Sequence, residues 1–214
     1  MAAFTAALAD LDPGQRYKLL CATIVPRPIA LVTTLGEGGL VNAAPYSFFN
    51  VFSEDPPLIV LGLQHKPGAV PKDTTRNIAR SGCFVVNLVD EDLAEAMNVC
   101  AMDMPPDASE TVAAGLDLAP GVDTPVPRIA SAPFALECQR TVSLAFSPGR
   151  ELLVGEVLRL HAREGLIDPE RLHVTDAYRP VGRLFGDAYA RQGDRFELRR
   201  ETFAQWQARG GAQP

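Results

Sequence analysis

The chain has 214 residues, of which 47% are apolar and 21% are charged. This balance is typical of a globular protein and excludes a disordered chain. The formal net charge is −6, from 20 Lys and Arg against 26 Asp and Glu, and an acidic surface disfavours nucleic-acid binding. The apolar runs, such as the one around Leu58–Val60, are far shorter than the roughly 20 residues of a membrane helix, so we predict a soluble protein.

Neither the cysteines nor the histidines form a recognisable pattern. The chain contains Cys21, Cys83, Cys100, Cys138, His65, His161 and His173. There is no Cys-x-x-Cys pair and no paired histidine spacing, so we predict no metal site and no redox-active disulfide. Met1–Asp12 lacks the cation and the apolar core of a secretory signal. We therefore expect reduced thiols in a cytoplasmic protein.

β-Strands predominate among the predicted elements. Apolar and β-branched runs predict strands over Ile29–Leu35, Leu40–Ala44, Leu58–Leu63, Phe84–Val89, Phe134–Phe146, Leu152–His161 and Gly182–Tyr189. Gly36–Gly39 predicts a hairpin turn between the first two strands. Phe196–Arg199 is a further candidate, as an edge strand.

The predicted helices are short and lie between strands. The N-terminal dozen residues form a weak helix or a tail. A turn at Lys72 leads into a helix through Ala79, with Asp73 or Thr74 as its N-cap, and Asp90 caps a helix that runs through Met102. Shorter helical segments are predicted at Glu110–Ala114, Pro169–Val174 and Phe203–Arg209. Single strands and helices do not alternate, so a parallel doubly wound sheet is disfavoured and a mainly β antiparallel barrel with peripheral helices is predicted.

We predict one domain over residues 1–214, with its core at about 17–200. Residues 103–133 are rich in Pro, Gly and Asp and have too few apolar side chains for a core of their own. We therefore interpret them as an excursion on the surface, and residues 201–214 as a C-terminal tail.

Two segments are candidates for a binding site. Lys72–Thr75 precedes a predicted helix, whose N-terminal amides, together with Lys and Thr side chains, offer the donors that a phosphate needs. A plain helix cap with a solvated lysine is the alternative. Asn42–Asn50 combines Tyr46, Phe48 and Phe49 with hydrogen-bonding side chains, a mixture suited to a planar heteroaromatic ring. A core strand with a proline kink is the alternative there.

Several motifs occur in a characteristic order along the chain. They are Val25–Thr34 (VPRPIALVTT), Asn42–Asn50 (NAAPYSFFN), Asp55–Pro57 (DPP), Lys72–Ile78 (KDTTRNI), Pro127–Ile129 (PRI), Glu137–Cys138 (EC) and Arg183–Gly186 (RLFG). Each motif alone is loose, but their combination resembles the flavin reductase-like family, the FMN-binding split-barrel proteins of the flavoredoxin type. The resemblance runs from about Tyr17 to Phe196.

This resemblance implies a six-stranded antiparallel, Greek-key-like split barrel that forms a homodimer and holds FMN non-covalently near the subunit interface. By position, it implies flavin contacts at Arg27, Pro28, Thr33, Ala44, Pro45, Tyr46, Ser47 and Asn50. It likewise implies phosphate contacts at Lys72, Asp73, Thr74 and Asn77. Relatives often carry a second glycine where this chain has Phe185, and a bulky ring there is expected to narrow the flavin pocket or to change which nicotinamide can approach.

The activity implied by the resemblance is that of an NAD(P)H:flavin oxidoreductase, which transfers a hydride to the flavin and supplies reduced flavin to a separate monooxygenase. The cofactor carries out the chemistry, so no side chain is assigned as catalytic and none as a metal ligand. Two alternatives stay open. One is a flavoredoxin-type FMN electron carrier that does not oxidise NAD(P)H itself, and the other is a split barrel that binds another flat ligand or none.

Overall fold

Antiparallel strands make up most of the structure, a computed structural model that describes residues 3–105 and 108–209. In chain order the strands are β1 (Ala30–Leu35), β2 (Val41–Tyr46), β3 (Phe49–Glu54), β4 (Pro57–Gln64), β5 (Cys83–Leu88), β6 (Leu118–Ala119), β7 (Arg128–Ile129), β8 (Phe134–Ser147), β9 (Arg150–Ala162), β10 (Ile167–Asp168), β11 (His173–Val174), β12 (Val181–Arg183) and β13 (Tyr189–Arg191). The main sheet has the order β2-β1-β5-β8-β9-β4-β3, and β6-β7, β10-β11 and β12-β13 pair separately. The mainly β, antiparallel class predicted from the sequence is confirmed.

Strands β2 and β3 are two halves of one bent strand that closes the sheet. The first half pairs with β1 and the second half pairs with β4, and only Ser47 and Phe48 separate them. At the bend, the amide of Gly62 in β4 donates to the carbonyl oxygen of Phe48 at 2.7 Å. The two edges of the sheet therefore meet and form a barrel. The sheet has seven strands instead of the expected six because this bend divides one strand in two.

The barrel interior and the outer side of β1 are both packed. One apolar cluster, which includes Val32, Leu61 and Phe84, fills the barrel. A second cluster packs the opposite side of β1, from Leu31, against the segment that contains Met97. Because β1 is buried on both faces, its sequence is a continuous apolar and β-branched run and does not alternate with polar residues.

The described residues contain five short α-helices: α1 (Pro13–Thr23), α2 (Asp73–Ser81), α3 (Ala94–Val99), α4 (Glu110–Ala113) and α5 (Phe203–Ala208). Helix α1 starts with a capping box, in which Asp12 and Gln15 each accept the backbone N–H of the other. None of the helices in the described residues is long and apolar enough to cross a membrane.

Several predicted elements differ in the structure. The N-cap of α2 is Lys72, and its side chain makes no capping hydrogen bond, so the prediction of Asp73 or Thr74 was wrong. Asp90 accepts the amide of Leu93 at 3.2 Å, but the regular helix begins only at Ala94 and ends at Val99.

Toward the C-terminus, three further predictions were wrong. Pro169–Val174, predicted as helical, lies mostly in the β10–β11 hairpin. The predicted strand Gly182–Tyr189 is a hairpin formed by β12 and β13. Phe196–Arg199 belongs to no strand.

The excursion packs on the barrel and contains α4, β6 and β7. The Glu137 carboxylate accepts the backbone amides of Val122, Asp123 and Thr124 at 2.8 to 3.0 Å, which anchors the excursion to β8. Residues 1–2, 106–107 and 210–214, which fall in the predicted N-terminal tail, excursion and C-terminal tail, lie outside the described residues. The division into one domain over residues 1–214 stays a prediction.

Candidate functional site

Two cavities meet at the bend between β2 and β3. The wide cavity has a volume of about 420 Å³, and the narrow cavity has a volume of about 160 Å³. Pro45, Tyr46 and Lys72 line both cavities. The two cavities are therefore adjoining parts of one site, with a volume in the range of small-molecule sites in proteins.

The narrow cavity lies at the N-terminus of α2. Because no side-chain cap occupies the first-turn amides, these N–H groups and the helix dipole are available to an anion. Lys66 and Lys72 add two ammonium groups to the lining. The Thr75 side chain in the same turn is buried, and its Oγ1 has no hydrogen-bond partner in the described part of the chain. The N-terminus of α2 therefore offers several hydrogen-bond donors that have no acceptor among the described residues.

Three carboxylates also border the narrow cavity. The first, Asp73, forms an ion pair with Arg76. The second, Glu110, accepts the backbone amide of Ala43 in β2 at 3.1 Å. The third is Asp103. Burial, and next the nearby Glu110 carboxylate, raise the pKa of the Cys100 thiol to about 11. The thiol therefore stays protonated at neutral pH and is a poor nucleophile.

The wide cavity offers flat apolar surface together with hydrogen-bonding groups. Burial raises the pKa of Tyr46 to about 12, although a hydrogen bond with Thr74 lowers it, so the phenol is neutral at physiological pH. Ser47 and Phe48 line the cavity at the bend. Gly62 lies below them, and a Cβ atom there would lie 2.9 Å from the Cβ of Phe48. A glycine is required for this close approach of β4 to the bend.

Seven of the twelve predicted site residues line the two cavities: Ala44, Pro45, Tyr46, Ser47, Lys72, Asp73 and Thr74. They come from two segments that are far apart in sequence. The Asn42 amide nitrogen donates to Thr74 Oγ1 at 3.1 Å and so connects β2 directly to α2. The aromatic segment and the lysine turn, proposed from the sequence as separate candidates, thus form one site.

The other five predicted residues lie outside both cavities. Pro28 and Asn50 line a separate cavity of about 620 Å³. Thr33 is fully buried and donates to the carbonyl oxygen of Pro127 at 2.7 Å. Asn77 is also buried, and its side-chain amide donates to the hydroxyl oxygen of Thr34 in β1 at 3.0 Å. The assignment of these residues as cofactor contacts stays a prediction, and their side chains are engaged elsewhere in this structure.

Arg27, the fifth of these residues, is 7% exposed. Its guanidinium donates to the carbonyl oxygens of Cys21, Ile24 and Leu184. It also donates to Ser47 Oγ at 3.4 Å. Its hydrogen-bonding capacity is therefore used on the protein itself rather than on the cavity.

Several cavity residues were not predicted from the sequence, and Lys66, Tyr17 and Arg150 are three of them. Lys66 is one of only three lysines in the chain, but its position at the narrow cavity depends on the turn that follows β4. Tyr17 is carried by α1, a helix that the sequence reading missed. Arg150 lies at the start of β9, opposite Gln64 of β4, and only the register of the sheet brings it to the wide cavity.

The chemistry of the donors suits a flat ligand with an anionic tail. Aromatic and proline surfaces line the wide cavity. The narrow cavity combines ammonium groups and free helix amides with three carboxylates, one of which is already paired with Arg76. Within residues 3–105 and 108–209, no group of three His, Cys, Asp or Glu side chains could hold a metal ion. An antiparallel barrel with such a site is the architecture expected for a flavin-binding protein.

Comparison with known proteins gives the family. Residues 22–182 match the profile of the flavin reductase like domain, so the chain belongs to the flavin reductase-like family, a flavin-binding family of oxidoreductases. The 2-nitrobenzoate 2-nitroreductase of Pseudomonas fluorescens is 45% identical with a TM-score of 0.87, over 94% of this chain and 98% of that chain. Nitrilotriacetate monooxygenase component B from Bacillus cereus is 35% identical with a TM-score of 0.87, over 92% and 100%.

The fold is shared more widely than the sequence. A protein of Shewanella frigidimarina with a split barrel domain is only 18% identical, yet its TM-score is 0.78 over 91% of this chain and 96% of that chain. The split-barrel class expected from the sequence is therefore confirmed.

Proposed function

We propose that the protein binds FMN non-covalently and transfers a hydride from NAD(P)H to the flavin, which then passes to a separate monooxygenase. The observation that carries this proposal is the junction of the two cavities at Pro45, Tyr46 and Lys72. A ring-sized space with flat walls opens there into a small space rich in cationic and N–H donors. Similarity to a nitroreductase and to a monooxygenase component supports the same class of chemistry.

The residues present fit FMN at both ends. Pro45, Tyr46 and Ser47 would hold the isoalloxazine ring and the ribityl chain in the wide cavity. Lys72, Thr74 and the first-turn amides of α2 would hold the phosphate in the narrow cavity, because charge-assisted hydrogen bonds to a helix N-terminus favour a dianion. The Asp73 side chain is paired with Arg76, so its backbone amide, not its carboxylate, would serve the phosphate.

The residues of this chain bind and orient, and the flavin, when bound, supplies the hydride-accepting ring. The overall reaction consumes NAD(P)H, FMN and one proton, and it yields NAD(P)⁺ and reduced FMN. Tyr46 stays protonated because burial raises its pKa to about 12. Glu151, the acid of the wide cavity, lies 3.6 Å from His65 Nε2. No general acid or base is assigned, since hydride transfer to a flavin requires none from the protein.

We also propose that the protein is a cytoplasmic homodimer. Large apolar side chains are exposed on β3, at Val51 and Phe52, and on the β8–β9 hairpin, at Leu144 and Phe146. Exposed apolar surface of this kind favours association. Light scattering coupled to size-exclusion chromatography should give a mass of two chains, and a monomer at micromolar concentration would contradict the proposal.

An absorbance spectrum tests the proposed activity. We expect purified protein with FMN to bind the flavin, and the flavin spectrum to bleach when NADH or NADPH is added without oxygen. A bound flavin that resists both nicotinamides but bleaches with dithionite would favour an electron carrier. Failure to bind flavin at micromolar concentration would contradict the cofactor assignment.

A further inference from the structure

Three aromatic rings stand together at the mouth of the wide cavity. Tyr17 of α1 lies with its ring centroid 6.4 Å from that of Phe48 at the bend, and 6.4 Å from that of Phe185 after β12. All three side chains are between 36% and 53% exposed. Tyr17 and Phe48 also line the cavity itself. We call these three residues the aromatic rim.

The aromatic rim combines surface exposure with an ordered geometry. Aromatic side chains normally bury most of their surface, yet here the rings are tilted toward one another at 46° and 57° and leave part of each ring open to solvent. Rings arranged in this way offer edges and faces to a further planar ring. Two of the three residues, Tyr17 and Phe185, lie outside the matched family domain of residues 22–182. The aromatic rim is therefore built largely by segments outside that domain.

A single guanidinium connects the three segments that carry these rings. Arg27 donates to the carbonyl oxygens of Cys21 and Ile24, at the C-terminal end of α1. It donates to Leu184, the neighbour of Phe185, at 2.8 Å. It also donates to Ser47, the neighbour of Phe48, at 3.4 Å.

The planar fork of arginine suits this arrangement, because five N–H donors in fixed directions can bind several acceptors at once. The positive charge is also favourable beside the C-terminal carbonyls of a helix. Arg27 and Arg183 further exchange backbone hydrogen bonds of 3.0 and 2.8 Å. Arg27 therefore contacts all three segments that carry the aromatic rings.

We propose that the aromatic rim is a stacking subsite for the planar aromatic ring of a cosubstrate, and that Arg27 is the positioning residue that sets its geometry. The inference rests on the proposed function, since a cosubstrate bound there lies at the mouth of the flavin cavity. Two molecules share the required chemistry: the nicotinamide ring of the reductant, and an aromatic electron acceptor. The two are distinguished by experiment.

The first test replaces the ring on α1. FMN-loaded protein is titrated calorimetrically with NAD⁺ and, separately, with 2-nitrobenzoate, for the wild type, Tyr17→Ala and Tyr17→Phe. Loss of an aromatic stacking contact should raise the dissociation constant of one probe about 3- to 10-fold in Tyr17→Ala. Tyr17→Phe keeps the ring and should stay within about twofold of the wild type. Phe196→Ala, at an aromatic side chain that is 83% exposed and outside the cavity, should change neither constant.

The outcomes separate the two cosubstrates from each other and from the proposed function. An effect on NAD⁺ alone assigns the subsite to the reductant, and an effect on 2-nitrobenzoate alone assigns it to the acceptor. Unchanged constants for both probes in Tyr17→Ala overturn the subsite. The same titrations on flavin-free protein add an independent result. Wild type that does not bind FMN but shows Tyr17-dependent probe binding contradicts the proposed function and supports the subsite.

The second test addresses Arg27. Lysine carries one compact ammonium group and cannot reach all four acceptors, so Arg27→Lys should weaken the same probe as Tyr17→Ala. If Arg27 acts through the aromatic rim, the double variant of Tyr17→Ala and Arg27→Lys should bind this probe no more weakly than the weaker of the two single variants. Additive losses would overturn the positioning role. Should Arg27→Lys fail to fold, Phe185→Gly removes one ring without touching the guanidinium, and an unchanged constant for the Tyr17-sensitive probe would likewise contradict the proposal.

Discussion

Replacing Glu137 by glutamine should destabilise the protein through the loss of one buried negative charge. The carboxylate is fully buried and accepts the amides of Val122, Asp123 and Thr124. It also pairs with His161 Nε2 at 2.6 Å. Burial alone would raise the pKa of this carboxyl, but the hydrogen bonds from His161 and from the three amides outweigh burial and lower the pKa to about 2.

The magnitude follows from the difference in pKa between the unfolded and folded chain. A fall from an ordinary value of 4.5 to about 2 corresponds to about 3 kcal/mol of stability. Because the folded-state pKa is the lower one, this contribution is fully present above about pH 4.5 and is lost as the pH falls toward 2. Glutamine carries no negative charge, and the N–H groups of its side-chain amide would face the backbone N–H groups that now donate to the carboxylate. We therefore expect Glu137→Gln to lower the free energy of unfolding by about 3 kcal/mol at pH 7.

Urea unfolding of the wild type and of Glu137→Gln, at several pH values from 7 to 3.5, measures this difference. The gap between the two proteins should narrow by about 1.4 kcal/mol by pH 3.5. Glu164→Gln removes an exposed carboxylate and should change the stability by less than about 0.5 kcal/mol. A gap below about 1 kcal/mol at pH 7, or a gap that does not change with pH, would show that the Glu137 charge does not stabilise the fold in this way.

Two further predictions concern the barrel and the site. In Gly155→Ala the new Cβ would lie 2.5 Å from Phe84 Cζ inside the barrel, so thermal unfolding should show a loss of about 1–3 kcal/mol in the free energy of unfolding. Gly149→Ala, where no atom lies within 4 Å of the new Cβ, should leave the stability unchanged. Equal melting temperatures for the two variants would contradict the packing argument. Because burial raises the pKa of Tyr46 to about 12, the wild type should lose stability relative to Tyr46→Phe above about pH 10, where only the unfolded chain ionises freely. Parallel pH-stability curves for these two proteins up to pH 11 would contradict this assignment.

The strands of the barrel could be predicted because their burial leaves a direct mark on the sequence. Apolar or β-branched runs mark β1, β4 and β5, and the glycines of Gly36–Gly39 mark the first hairpin, where Gly38 and Gly39 have positive φ. Closure of the sheet could not be predicted from the sequence, because the bend at Ser47–Phe48 depends on pairing with two different strands, β1 and β4. The sequence therefore predicted the class of fold but not the seventh strand.

Helix α1 and the β10–β11 hairpin could not be read from periodicity. Only Cys21 of α1 is buried, so the helix has no apolar face to detect, although the Asp12–Gln15 capping box was present in the sequence. In the hairpin, Asp168 accepts the amides of Glu170 and Arg171 and forms a turn instead of a helix. Leu172 also has φ of 51°, which a helix does not allow.

The candidate site was predicted where local sequence determines it. Continuous segments supply Ala44–Ser47 and Lys72–Thr74, so their residues reach the cavities together. Neither β1, which carries Thr33, nor β3, which carries Asn50, lines the two cavities, and Arg27 is directed to α1, which was not predicted. Identifying such side-chain directions requires the register of the assembled barrel.

Flavin binding by the two cavities can be tested most directly with FMN and riboflavin, which differ only in the phosphate. Fluorescence quenching gives both dissociation constants for the wild type and for Lys72→Gln. We expect the wild type to bind FMN more tightly than riboflavin. Loss of a charge-assisted contact should weaken FMN about 10- to 100-fold in the variant and leave riboflavin unchanged. Equal affinity of the wild type for the two flavins, or an equal loss for both in Lys72→Gln, would contradict a phosphate site at the N-terminus of α2.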